Sequence, residues 1–251
     1  MTYNKQKTFQ AYFHFTETDM EQKKPKIKIM KDGPYVVTGG VPLSEKNIRA
    51  VGKDYIYEDG RPLPQAGTYA LCRCGKTKTP PFCDGAHKDC AFDGTETASK
   101  EPFASRAKAY DGPALTMLDD GRCAFARFCH TYQGDAWELV ERSDNPACRE
   151  LAIKAATECP AGRLDIIDKQ TGRTIEPDYA PEIEVLQDPG RNVSCGLFVK
   201  GKIPIEGADG EAYEIRNRVV LCRCGHSKVK PFCDSLHVLR GYRDRKKRWF
   251  E

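Results

Sequence analysis

The feature that most constrains this chain is a pattern of cysteine and histidine that occurs twice. Cys72, Cys74, Cys83 and His87 follow C-x-C-x8-C-x3-H, and Cys222, Cys224, Cys233 and His237 repeat the same spacing. The surroundings repeat too: LCRCG begins at Leu71 and Leu221, and Pro-Phe-Cys-Asp at Pro81 and Pro231. Upstream, PYVVTGGVPL from Pro34 matches GLFVKGKIPI from Gly196, each a β-rich run with a Gly-containing turn leading into a Pro. Only the first copy carries the insert SEKNIRAVGKDYIYEDGRP. A repeat of this kind divides the chain into an N-terminal extension (1–25), a first copy (26–105), a middle segment (106–188) and a second copy (189–251). Each part is too small to bury much core alone.

Composition says what must supplement that core. With 39% apolar and 30% charged residues the chain is polar, and its 12 cysteines far exceed ordinary intracellular usage. The opening MTYNKQKTFQAYFHF shows no apolar stretch followed by a small-residue cleavage site, so no secretory signal is expected. No run approaches the roughly 18 apolar residues of a membrane span. A cytoplasmic setting keeps thiols reduced, which makes them metal ligands or catalytic groups before disulfides. A net charge of +4 is too mild for a dedicated nucleic-acid binder.

Three thiolates and an imidazole suit either tetrahedral zinc or an iron-sulfur cluster, since all four are deprotonated soft or borderline donors. Zinc knuckles prefer cysteines two to four residues apart, wrapping one ion in a turn. Cysteines one residue apart project both sulfurs from one face of an extended chain. That arrangement lets Cys72 and Cys74 share one iron, with Cys83 and His87 on a second. The apolar residues before each LCRCG read as a strand, and PFCD reads as the start of a short helix that places Cys83 and His87, and Cys233 and His237, one turn apart. Ordinary core packing has no reason to produce the spacing twice. A Cys-His catalytic dyad would need one activated thiol, without neighbouring thiols competing for metal.

These residues resemble the CDGSH iron-sulfur domain. CRCGKTKTPPFCDGAH, from Cys72 to His87, fits that signature throughout, with Thr77 as its hydroxyl residue, Pro81, and Asp84-Gly85-Ala86 before the histidine. CRCGHSKVKPFCDSLH keeps Ser227, Pro231 and every ligand but places Ser235 and Leu236 where the family has Gly and a small residue. The resemblance implies a 2Fe-2S cluster in each site, a β-cap over a cluster-binding base, and pairing of two such units about a two-fold axis, here within one molecule. A histidine ligand implies a reduction potential above that of an all-thiolate site, and an acid-sensitive bond.

In the middle segment Cys123 and Cys129 form C-x5-C, a ferredoxin C-x2-C-x2-C loop whose central position is held by Ala126, and Cys159 precedes Pro160. SDNPACRELAIKAATE reads as a helix beginning near Ser143 or Asp144 and delivering Cys159. The stretch is similar to the divergent single-cluster ferredoxin-like domain that accompanies CDGSH modules. That similarity implies a 3Fe-4S cluster on Cys123, Cys129 and Cys159, or a 4Fe-4S cluster with one more donor. Cys148 lies roughly 16 Å from Cys159 along a helix and is too far to serve; His130 is nearer. Cys90, Cys148 and Cys195 have no metal-like spacing and read as small buried hydrophobes. Tyr3, Phe9, Tyr12, Phe13 and Phe15 read as packing residues over the first copy, Trp137 and Trp249 as packing anchors, and RGYRDRKKRWFE as a solvated end.

The expectation is an α+β protein: two small CDGSH modules paired as an intramolecular pseudo-dimer, plus a ferredoxin-like module. It is expected to be a monomer that transfers electrons to partner proteins, with no membrane or nucleic-acid partner. No phosphate loop, dinucleotide fingerprint or catalytic group is visible, so no enzyme is expected. Cluster storage, delivery to apo-acceptors, or redox and pH sensing is the alternative function, and a structural zinc module the second.

Overall fold

The computed structural model describes residues 24–244. The N-terminal aromatics, and the tail beyond Asp244 with Trp249, lie outside the described residues. In the first copy β1 (Lys26–Ile29) and β2 (Tyr35–Thr38) form an antiparallel hairpin, and β5 (Tyr69–Leu71) adds to β2. In the second copy β12 (Glu182–Asp188) and β13 (Val193–Lys200) make the same hairpin, so this copy begins before residue 189, where the sequence put its start, and β15 (Arg218–Leu221) adds to β13.

The next strand of each copy crosses to the other. β3 (Leu43–Val51) pairs in parallel with β12, placing Leu43 opposite Ile183, while β14 (Ile205–Glu206) pairs in parallel with β1, placing Ile205 opposite Ile27. Leu43 and Ile205 hold the same place in the repeat, so the exchange is reciprocal. It turns at Gly39 (φ 84°) and Gly201 (φ 74°), where a Cβ would stand 2.3 Å from Lys24 C and 2.4 Å from Ala180 C. Only glycine fits there. β4 (Asp54–Asp59), from the insert, pairs with β3 at the edge of the resulting five-stranded sheet.

One apolar core spans both copies. Ile27, Ile29, Tyr35, Val37 and Leu71 of the first pack with Ile183, Val185, Leu197, Val199 and Leu221 of the second. β2 alternates inward and outward residues, as a strand with one covered face should. β13 is buried along nearly its whole length because both faces are covered, one by that core and the other by the middle segment.

After a one-turn α1 (Phe103–Arg106), the middle segment has its own antiparallel sheet, β6 (Lys108–Asp111), β7 (Leu115–Asp119), β10 (Leu164–Asp168) and β11 (Thr174–Ile175), a short hairpin of β8 (His130–Thr131) and β9 (Gly134–Asp135), and α2 (Ala136–Glu141) and α3 (Pro146–Thr157) packed on the sheet. Asp135 and Glu138 close a capping box at α2. α3 begins with Pro146 at its first turn, and its N-cap is Asn145, whose side chain accepts from Ala147 N and Cys148 N. Ser143 instead donates no cap: its Oγ accepts from Ala114 N and Leu115 N, tying the helix entry to β7. The expected start is therefore corrected by one or two residues. Among the described residues the protein is mostly sheet with few helices, none long and apolar enough to cross a membrane.

Candidate metal centres

Each outer quartet assembles from the end of a strand and the loop that folds back on it. β5 runs into Cys72 and Cys74, β15 into Cys222 and Cys224. Cys72 N donates to Pro81 O at 2.9 Å and Cys83 N to Ala70 O at 2.9 Å; Cys222 N to Pro231 O and Cys233 N to Val220 O, both at 2.8 Å, repeat the clamp. Thr77 Oγ1 and Ser227 Oγ each donate to the carbonyl before the third cysteine, at 2.7 Å. Asp84 accepts from Lys78 N at 2.7 Å and Ala86 N at 3.1 Å, and Asp234 does the same for Lys228 N and Leu236 N at 2.7 and 3.2 Å. These hydroxyls and carboxylates shape the loop and leave the sulfurs and imidazole as the donors.

The donors approach in twos. Cys72 Sγ and Cys74 Sγ are 3.6 Å apart, as are Cys222 Sγ and Cys224 Sγ. Cys83 Sγ lies 3.4 Å from His87 Nδ1, and Cys233 Sγ 3.4 Å from His237 Nδ1. Nδ1 is thus the imidazole nitrogen turned toward the cysteine in both sites, and each pair could hold one iron. Within each leading pair the thiols share a proton, which, with N–H bonds from the following backbone, draws Cys72 and Cys222 down to about 6. Burial, with the charges of Arg223 and Arg127, pushes His237 down to about 4 and keeps it neutral, as a ligand must be.

One expectation fails in both copies. No helix carries the third cysteine and the histidine: the first copy has none at this place, and α4 (Leu236–Leu239) starts after Cys233. The chain turns left-handed between the ligands, at Gly85 (φ 91°) and Ser235 (φ 69°), and the Asp84 and Asp234 side chains take the amides a helix would use. A Cβ at Gly85 would meet nothing within 4 Å, which explains why Ser235 is accommodated in the second copy.

The two sites face each other across their Cys-Gly steps. A Cβ on Gly75 would stand 2.5 Å from Cys224 O, and one on Gly225 2.6 Å from Cys74 O. Tyr35 of the first copy donates to Cys222 O at 2.7 Å. The surroundings differ in openness: Cys83 and His87 are half-buried, whereas Cys233 and His237 are buried.

The middle cysteines also come together. Cys123, Cys129 and Cys159 line one cavity with Ala126, Pro160 and Arg163. Phe125 N donates to Cys123 Sγ at 3.3 Å, and Phe125 (φ 59°) and Arg127 (φ 70°) are left-handed without being glycine. Arg163 pairs with Asp119 through two bonds, at 2.6 and 2.7 Å, and lines the cavity beside Cys123 and Cys159. Arg218, fully buried, donates to Ala156 O, Thr157 O, Cys159 O and Leu164 O and pairs with Glu176, so β15 of the second copy braces the loop that presents Cys159. Burial raises Cys159, and pushes Cys129 up to about 12, so loading this cavity must release protons.

His130 is exposed and Cys148 sits in the middle core, so neither lines the cavity. Cys195 is buried as expected, but Cys90 is exposed, correcting its reading as a buried hydrophobe. Trp137 anchors the core edge against Tyr110, with Arg163 over its ring at 5.1 Å. The start of the C-terminal tail is not a solvated end: Tyr242 and the Asp244 carboxylate are buried beside Arg223.

Family comparison agrees with this division. The model described as iron-binding zinc finger, CDGSH type, matches residues 32–88 and 196–238, and the model described as divergent 4Fe-4S mono-cluster matches residues 110–169. Two CDGSH segments flank a divergent ferredoxin-like segment. Neither a curated protein nor a solved structure matches the chain. The CDGSH and divergent 4Fe-4S matches indicate iron-sulfur binding domains in these three segments.

Sequence reasoning missed Arg73 and Arg223, each between paired ligands and each 2% exposed. Strand alternation could have found them. With both sulfurs on one face of an extended chain, the intervening side chain must point to the other, into the protein.

Proposed function

We propose that the protein is a three-centre electron carrier. Two 2Fe-2S clusters are held by Cys72, Cys74, Cys83 and His87 and by Cys222, Cys224, Cys233 and His237. A third, 3Fe-4S in the form the donors favour, is held by Cys123, Cys129 and Cys159. Ala126 stands at the fourth corner, and the cavity lining offers no further thiol, imidazole or carboxylate. Bound there, such clusters supply reversible one-electron chemistry at their sulfur-bridged irons. The two CDGSH segments form a pseudo-dimer within one chain, and the reciprocal strand exchange supports that pairing.

The observation that carries the reading is contiguity. Ala124, Ala126 and Phe128 of the middle loop share one apolar cluster with Cys233 and Cys195 of the second copy. The Cys-Gly steps join the two outer sites in turn. The chain's own residues hold each donor set, exclude water from the second site, where the three cysteines and His237 are buried, and bring the three sites together. The partners are redox proteins, which meet the first site where Cys83 and His87 are half-buried.

That same openness favours one second reading, cluster delivery from the first site to an apo-acceptor. Reconstitution without oxygen, followed by iron and sulfide analysis and electron paramagnetic resonance, tests both. The carrier reading expects about seven irons per chain and reversible reduction without loss of iron. About eight irons would give the middle site a 4Fe-4S cluster, and loss of iron to an acceptor would favour delivery. Zinc without sulfide would overturn both.

A further inference from the structure

The outer sites repeat in their ligands and differ behind them. Arg73 and Arg223 occupy the same place between paired cysteines, and each stacks on an aromatic ring, Arg73 on Phe92 and Arg223 on Tyr242, both at 5.5 Å. Phe92 and Tyr242 are equivalent as well, since each returns its N–H to the carbonyl of the ligand histidine, at 3.4 and 2.9 Å. Two residues further on the copies part, with Gly94 in the first and Asp244 in the second.

Around Arg73 only neutral groups respond. It donates to Gly94 O at 2.7 Å, Met30 O at 2.9 Å and Gly33 O at 3.3 Å, and forms no ion pair among the described residues. Asp32 is exposed and its Oδ1 accepts from Gly94 N, while Glu96 accepts from Tyr213 Oη and Ala208 N. Around Arg223 the neutral carbonyl is replaced by a carboxylate. Asp244 Oδ2 accepts from Arg223 Nη1 at 2.5 Å, with the two side chains 2% and 1% exposed. Ser194 Oγ and Gln187 Nε2 donate to the same carboxylate at 2.7 and 3.1 Å. Burial alone would raise the Asp244 pKa, but the Arg223 charge and these bonds outweigh it and hold the group ionised, well below the usual carboxylate range.

Among the described residues, a buried guanidinium without a counter-charge stands behind the first site, and a neutral ion pair behind the second. Three thiolates, an imidazole and two sulfides around two ferric irons already carry negative charge, and one added electron makes the site more negative. A nearby unpaired cation favours that state, and a carboxylate beside the cation cancels the benefit. Burial acts in the same direction, because the sealed second site solvates the added charge less well than the half-open first.

We propose that the first CDGSH site has the higher reduction potential of the two, and that Asp244 is the positioning residue that lowers the second by neutralising Arg223. The proposal rests on the reading of both quartets as 2Fe-2S sites. An electron reaching the buried second site then moves to the first, where it is exposed to a partner.

The test is a potentiometric titration of the full, cluster-loaded chain with dithionite as reductant, followed by electron paramagnetic resonance and visible absorption. Two outer-site steps are expected, and His87→Cys should lower only the upper one. Asp244→Asn and Asp244→Gly, the latter reproducing the first copy's residue, should raise the lower step. The expected change is about tenfold in the reduction equilibrium, or about 59 mV for a one-electron couple, with the upper step unmoved. Iron and sulfide content of each variant shows that the sites are still filled. Coincident outer steps in the unaltered chain, a lower step that answers to His87→Cys, or a filled Asp244 variant with unmoved potentials would overturn the proposal alone. A chain without sulfide-bridged iron would overturn it together with the carrier reading.

Discussion

At the scale of single residues, the positions between and behind the ligands decide as much as the ligands. Gly75 (φ 71°) and Gly225 (φ 82°) each face the other copy's cysteine backbone, so Gly75→Ala or Gly225→Ala must push the two sites apart. Either should lower stability by about 2–4 kcal/mol in urea unfolding and empty both outer sites. Gly85→Ala is the contrast: its Cβ meets open space, so only the left-handed strain of about 1–2 kcal/mol remains. Asp244 adds a pH dependence. Its folded pKa lies below the unfolded value of about 3.9, so its contribution is complete above that value and fades as pH falls toward the folded one. In urea unfolding of the metal-free chain, the stability gap between the unaltered protein and Asp244→Asn should therefore be widest near neutrality and narrow below about pH 4. A gap that widens on acidification would contradict the pairing with Arg223. The ligand spacing was readable at this scale, and so was the difference between Gly94 and Asp244. What Asp244 touches was not, because Ser194 and Gln187 reach it from a distant hairpin.

At the scale of elements, local pattern and tertiary demand diverge in instructive places. The α3 periodicity and the strands before each LCRCG follow from apolar spacing, and they form as read. The helix expected through PFCD does not, because Asp84 and Asp234 use their side chains as local amide acceptors and the next residue turns left-handed. β15 shows how one side chain joins elements. Arg218 is buried on it and answers four carbonyls around Cys159 as well as Glu176. Arg218→Leu leaves these acceptors and the carboxylate without their partner, at a cost of about 3 kcal/mol or more. The middle site should lose its iron first, so iron analysis of this variant should fall toward about four per chain while the outer signals persist.

At the scale of the whole molecule, the copies are one folding unit. Their core is shared, and each lends a strand to the other's sheet. Residues 26–105 alone would leave β1 without β14, β3 without β12, and half of the core in water. Expressed separately, that segment should not be a folded monomer; a monomer in sedimentation with native-like circular dichroism would contradict the exchange. The sequence by itself determined the candidate donor sets, since three thiols and a histidine at matching spacing are a chemical statement needing no coordinates. It also determined the division into two outer copies and a middle segment, because repeats are visible as letters. Only the tertiary structure decided that the copies exchange strands, that the middle loop lies against Cys233, and that one buried arginine has a counter-ion while its twin has none among the described residues. Those are matters of contact between residues far apart in the chain, and chain spacing carries no information about which distant backbone or charge will fill a buried neighbour's unmet need.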